Sequence, residues 1–191
     1  MDEANERIEQ FQVNNTIPGF VASQFLQVYQ ALHYINQNNL APGNLFCEWG
    51  SGFGVVSSLA ALCGFHAIGI EIDEKLVEEA EQLAADFDID VSFYCDSFIP
   101  PGNENLLATE ESSSWLTNRP GDMLESGISP ESFDVIFVYP WPGEESLMEQ
   151  LFVSHAGTGS LLVSFHCREG VRVQRLIKSS SKRNSLRHAG R

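Results

Sequence analysis

Three acidic residues stand at intervals suited to lining one ligand crevice: Glu48, Glu71 and Asp96. Glu48 lies two residues before a glycine-rich run, Gly50-Ser51-Gly52-Phe53-Gly54. Glycines let a backbone turn sharply and let a ligand approach it closely. Glu71, with Ile72 beside it, comes 23 residues after Glu48. A carboxylate at the end of a strand in that position can accept both hydroxyls of a ribose. Asp96 could accept from an adenine amino group, while the Ser97 amide donates to a ring nitrogen.

These residues can meet only if strands and helices bring them to one edge, and the hydrophobic pattern predicts that. Leu45–Trp49 is a short apolar run that reads as a buried strand, ending at the glycine run. Residues 55–63 are rich in Ala, Leu and Val and stop at Gly64, a helix with its C-cap. Residues 66–72 form a second strand. Asp73 is an N-cap for a helix with Leu76, Ala80, Leu83, Ala84 and Phe87 on its apolar face. Residues 91–95 are a third strand, 133–139 a fourth and 160–166 a fifth; 145–152 are helical, and 171–177 add a further strand. Upstream, Val21, Phe25, Val28, Leu32 and Ile35 mark a helix over 20–37. The polar stretch 99–132 reads as a long loop. Strands alternating with helices give a doubly wound, mostly parallel sheet in a three-layer αβα sandwich. Right-handed crossovers then put every strand's carboxyl end on one edge, where such sheets bind ligands.

Glu48 with Gly50, Ser51, Gly52 and Gly54, then Glu71, then Asp96 with Ser97, resembles the motif series of the class I, seven-strand, Rossmann-like S-adenosylmethionine-dependent methyltransferases. The resemblance covers residues 40–166. It implies that the Gly50–Gly54 turn holds the methionine part of the cofactor. Glu71 would hold the ribose, with Ile72 beside it also at the cofactor, Asp96 and Ser97 the adenine, and Glu48 would order the turn and face the methionine amino group. A nicotinamide-binding domain also has an acid ending its second strand, but its fingerprint is G-x-G-x-x-G. Here the third glycine comes one position early and position 55 is Val.

After the fourth strand the chain reads Tyr139-Pro140-Trp141-Pro142-Gly143-Glu144-Glu145. In the resembled family this segment flanks the reactive methyl, and many nitrogen methyltransferases carry Asp/Asn-Pro-Pro-Tyr/Phe there. Tyr139 replaces the Asp or Asn, Trp141 the second proline and Pro142 the aromatic. Tyr139, Trp141 and Glu144 are the catalytic candidates, with Tyr139 also beside the cofactor. Glu145 and His155 are further candidate bases; His33, His66 and His166 lie in apolar runs and read as structural. The family's sheet usually ends in an antiparallel hairpin. With only 26 residues after Phe165, many of them polar or basic, that hairpin is expected to be missing or rudimentary.

Composition narrows the partners. Residues 1–167 carry 25 acids against three bases (Arg7, Lys75, Arg119), a net −22; residues 168–191 carry eight bases and one acid, a net +7. So acidic a body repels phosphate backbones, which argues against nucleic acid and favours a cationic acceptor such as a basic protein side chain or a small amine. The organisation expected is a flexible acidic stretch over 1–17, one domain over 18–177 and a basic, disordered tail over 178–191. Cys47, Cys63, Cys95 and Cys167 show no metal or disulfide spacing, and no metal is expected. Four free thiols fit a reducing cytoplasm, and the acidic opening Met1–Asn5 is unlike a secretory signal. No run is long and apolar enough to span a membrane. The second function class is a cofactor-binding or regulatory module without turnover, and oligomerisation would supply missing substrate contacts.

Overall fold

Seven strands form a single sheet in the order β3-β2-β1-β4-β5-β6-β7. The computed structural model describes residues 1–14, 24–100, 103, 128–167, 169–178 and 184–188, the last five by their backbone. In chain order the elements are α1 (Asp2–Asn14), α2 (Phe25–Gln37), β1 (Leu45–Trp49), α3 (Val55–Leu62), β2 (His66–Glu71), α4 (Glu74–Asp86) and β3 (Val91–Cys95). A 3-10 turn over Pro130–Ser132 leads to β4 (Val135–Val138), α5 (Glu145–His155), β5 (Leu161–His166), β6 (Gly170–Lys178) and β7 (Asn184–His188).

β1 to β5 run parallel, β6 antiparallel to β5, and β7 antiparallel to β6. Central strands covered on both faces need no polar alternation, and β1 and β4 are accordingly near-continuous apolar runs. One sheet face carries Phe46, Ala67, Val135, Phe137, Leu161, Val163 and Phe165 against α2, α3 and α4. The other carries Cys47, Ile68, Ile70, Ile136, Val138 and Leu162 against Leu151 and Phe152 of α5. The winding reverses between β1 and β4, so the crevice beyond their carboxyl ends is the place for a ligand.

Among the described residues the predicted strands and helices form, and the fold is the expected Rossmann-like one. α2 is described from Phe25, with Phe25, Val28, Leu32 and Ile35 buried; Val21 and most of the 99–132 loop lie outside the described residues. Asp73 caps α4 by accepting from the Lys75 N–H at 3.0 Å.

Three expectations need correction. The terminal hairpin is present: β6 pairs with β5 across six residues and β7 with β6 across five. Two of the bases that argued against it are held by the body. Arg175 donates to the carbonyls of Leu40 and Gly159, and Arg172 pairs with Glu169 at 2.8 Å and Glu149 at 3.8 Å. Val171 and Val173 pack on the α2 face while Leu176 is buried on the α5 face, the alternation of a strand with both faces covered. Residues 184–188, assigned to the tail, are strand β7. Of the N-terminal stretch 1–17, Asp2–Asn14 is the helix α1, with Ala4 and Ile8 buried in the main core, and 15–17 lie outside the described residues.

Candidate functional site

The glycine turn is held open by hydrogen bonds from its neighbours. The amides of Gly50 and Ser51 both donate to the Ile70 carbonyl at 2.9 Å, tying the turn to β2. Gly50, Gly52 and Gly54 have φ of +74°, +52° and +65°, a region L-residues rarely adopt. Two of these glycines serve different ends. A Cβ on Gly54 would collide with the Phe93 ring and come within 2.9 Å of the Ala80 Cβ, so that glycine allows α3 to pack. A Cβ on Gly50 would meet nothing within 4 Å, so that backbone is open to an incoming group.

The three acids follow the strand ends. Glu48 is buried, and its Oε2 accepts from the Ser57 amide at 2.8 Å and the Ser57 hydroxyl at 2.7 Å. It thereby satisfies one of the orphan donors in the first turn of α3. Burial pushes its carboxyl up to about 8; the Ser57 bonds oppose the rise and nearby Glu71 adds to it. Glu71 accepts at Oε2 from the Gly52 amide (2.9 Å) and at Oε1 from those of Ile72 (2.7 Å) and Asp73 (3.0 Å). Burial raises its pKa against the pull of these three bonds. A carboxylate offers about four acceptor positions, so Glu71 braces the turn and retains room for a further donor. Asp96 is buried; its amide donates to the Glu71 carbonyl at 2.9 Å. The Ser97 amide, expected to face a ring nitrogen, donates to Asp96 Oδ1 at 2.6 Å, and the Ser97 hydroxyl accepts from the Ile99 amide at 3.2 Å.

An aromatic pair absent from the sequence reading stands beside them. Trp49 and Phe98 stack with ring centres 5.4 Å apart and planes at 9°. Trp49 ends β1 and Phe98 follows Ser97, so the stack spans the β1 and β3 ends of the crevice. Two aromatics one residue away from motif positions were the available signal.

Beyond β4 the candidates turn toward one another. The Tyr139 hydroxyl and the Cys167 thiol are 2.6 Å apart, and the Tyr139 ring meets Phe165 edge-on at 5.1 Å. Burial, then Cys167, pushes the phenol up to about 12. Glu144 folds back over its own turn: its amide donates to the Trp141 carbonyl at 2.9 Å, and its Oε2 accepts from the Trp141 amide at 3.3 Å. Its other oxygen is buried with no hydrogen-bond partner among the described residues. Glu145 accepts from the Gly143 amide at 2.8 Å.

His155 does not join this group. α5 runs back from the carboxyl edge, and His155 at its far end bonds Asn103 at 3.0 Å; a helix of that length carries it about 15 Å away. His166 ends β5 at the carboxyl edge, hydrogen-bonded to Ser164 at 2.8 Å. Its pKa is lowered, first by burial and then by Arg172. Among the described residues no cluster of His, Cys, Asp or Glu could hold a metal, and no helix is long and apolar enough to cross a membrane.

No family profile matches the chain, and no curated protein matches it. Solved structures do. An RNA methyltransferase from Salinibacter ruber, in complex with S-adenosyl-L-homocysteine, superposes with a TM-score of 0.51 at 18% identity over 87% of this chain and 90% of its own. An O-methyltransferase from Bacillus cereus in complex with the same compound gives 0.52 at 15% identity, over 86% and 66%. Magnesium protoporphyrin IX methyltransferase from Synechocystis, also with that compound bound, gives 0.51 at 18% identity, over 84% and 66%. The fold is that of the class I S-adenosylmethionine-dependent methyltransferases.

Proposed function

We propose that the protein is an S-adenosylmethionine-dependent methyltransferase acting on a cationic or amine acceptor, a basic protein side chain or a small amine. The observation that carries the cofactor reading is the glycine turn. Its Gly50 backbone is open, Glu71 accepts from its Gly52 amide, and Glu48, Glu71 and Asp96 stand at three neighbouring strand ends. The residues fit the group: a close backbone approach for the methionine part, an acceptor position on Glu71 for a ribose hydroxyl, and Asp96 for the adenine amino group.

The bound cofactor supplies a methyl group already activated by its sulfonium. The chain's part is therefore alignment, which in well-oriented reactions supplies about 7–11 kcal/mol of barrier lowering. Tyr139 and Trp141, in the segment after β4, would wall the acceptor slot. The net −22 of residues 1–167 favours cationic partners at the crevice. Four free thiols suit a reducing, cytoplasmic setting.

A binding module without turnover is the second reading, and one observation favours it. The Tyr139 hydroxyl is engaged by Cys167, so it is not poised to take a proton. Calorimetry with S-adenosylhomocysteine, with NAD as control, tests cofactor identity. Methyl transfer from labelled cofactor to amines and basic peptides then separates enzyme from module. Binding of NAD and not of the homocysteine compound would overturn the first reading.

A further inference from the structure

The N-terminal helix reaches the glycine turn through Phe11. Ala4, Ile8 and Phe11 fall on one face of α1 at i, i+4 and i+7, and Ala4 and Ile8 are buried. Phe11, next along that face, meets the ring of Phe53 edge-on, with centres 5.2 Å apart and planes at 87°. Phe53 is the only large side chain in Gly50-Ser51-Gly52-Phe53-Gly54, and it is buried. Glycines on either side leave the turn's backbone with more freedom than any other residue would. Fixing the Phe53 ring therefore fixes the turn. A second tether sets where α1 lies: Arg7 bonds Asp86, the last residue of α4, at 2.6 Å and Glu3 at 2.9 Å. Asp86 is also held by Gln82 at 2.7 Å. As a half-exposed pair this contributes little to stability, but it fixes the helix's position.

We infer that α1 is a clasp on the glycine turn and that Phe11 is a positioning residue, holding through Phe53 the backbone that receives the cofactor. The consequence for binding rests on the cofactor reading above. Coupling between two events is reciprocal: if docked α1 tightens cofactor binding by some factor, bound cofactor tightens α1 docking by the same factor. Loss of an edge-on aromatic pair corresponds to about a fivefold change in an equilibrium constant.

The test uses full-length protein in three forms: unmodified, Phe11→Ala and Phe11→Tyr, which keeps the ring. The affinity for S-adenosylhomocysteine is measured by calorimetry and referred to the folded fraction from circular dichroism. Phe11→Ala should weaken binding about fivefold, and Phe11→Tyr should restore it to within about twofold. Hydrogen exchange supplies the readout that a merely structural helix would not move. In the unmodified protein, saturating S-adenosylhomocysteine should slow exchange of the amides of residues 3–12. Equal affinity in Phe11→Ala, or α1 exchange unchanged by ligand, overturns the coupling. Should the unmodified protein not bind S-adenosylhomocysteine, the cofactor reading fails by itself. The clasp is then judged without ligand: Phe11→Ala must speed exchange of the amides of residues 51–55, and an unchanged rate there overturns it.

Discussion

The two halves of the carboxyl edge are built differently. At the ends of β1, β2 and β3 the carboxylates are held largely by backbone: Glu71 by three amides, Asp96 by the amide of Ser97, and Glu48 by an amide and a hydroxyl of one residue. Beyond β4 and β5, side chains hold one another or fold over their own turn: Tyr139 with Cys167, Ser164 with His166, Glu144 over Trp141. A backbone frame tolerates sequence change and fixes a shared ligand. A frame made by pairs of side chains depends on the identity of both partners. This explains why the first half can be read by resemblance and the second departs from the family's pattern.

The largest effects should come from setting two glycines of the first half against each other. Gly54→Ala puts a Cβ into the Phe93 ring at φ +65°, so strain and overpacking together should cost about 2–5 kcal/mol. Urea titration would show it as a lower midpoint, with normal affinity in whatever remains folded. Gly50→Ala carries a positive-φ cost of about 1–3 kcal/mol but meets open space. It should leave a folded protein whose affinity for S-adenosylhomocysteine falls more than about tenfold, because the methyl group occupies ligand volume. If both variants only destabilise, the turn is a fold element and the contrast between the halves disappears.

Next in size is Glu71→Ala. It deprives the amides of Gly52, Ile72 and Asp73 of their partner and, on the proposed reading, removes a ribose acceptor. Charged hydrogen bonds contribute about 1.5–3 kcal/mol each, so affinity should drop at least tenfold and stability should fall with it. An unchanged unfolding midpoint would mean that these amides find water instead.

Glu48 gives a pH dependence whose sign is fixed. Its folded pKa, about 8, lies above its ordinary value of 4.5. The native state therefore keeps its proton where the unfolded chain has lost it. The stabilisation is fully present below pH 4.5 and is lost as pH rises through about 8. A bound ammonium group favours the ionised form, so cofactor affinity should rise across the same window. Glu48→Gln should flatten both curves. A stability profile with the same slope between pH 5 and 8 in both proteins would show that Glu48 is ionised in the fold.

How much of this was legible follows from what each signal depends on. The glycine turn and the acids at 48, 71 and 96 were readable because strand ends and one tight turn fix their spacing. The helix α1 was not, because three apolar residues, Ala4, Ile8 and Phe11, hold its inner face among acids and amides. β6 was visible in Val171, Val173 and Ile177, yet the polar and basic residues among them argued against a hairpin; Arg175 instead serves two carbonyls that only the fold brings near. His155 was placed by chemistry without direction: helix α5 carries it away from the edge where the helix begins.

The smallest effect on the cofactor, and the sharpest on the comparison, should come from Glu144→Gln. One carboxylate oxygen accepts from the Trp141 amide and the other is buried without a partner among the described residues. Glutamine keeps the acceptor and replaces the orphan oxygen by an amino group, in a side chain of the same size. Since Glu144 makes no contact with the glycine turn or its acids among the bonds described, affinity for S-adenosylhomocysteine should stay within about twofold. Stability should shift by no more than about 1–3 kcal/mol, the ordinary range for one buried polar group. Methyl transfer to amines decides what the residue does. If transfer is lost while cofactor affinity holds, Glu144 recognises the acceptor, and the second half of the edge is an acceptor site in its own right. If transfer persists, Glu144 is a brace of the 141–144 turn, and the acceptor is held by Tyr139 and Trp141.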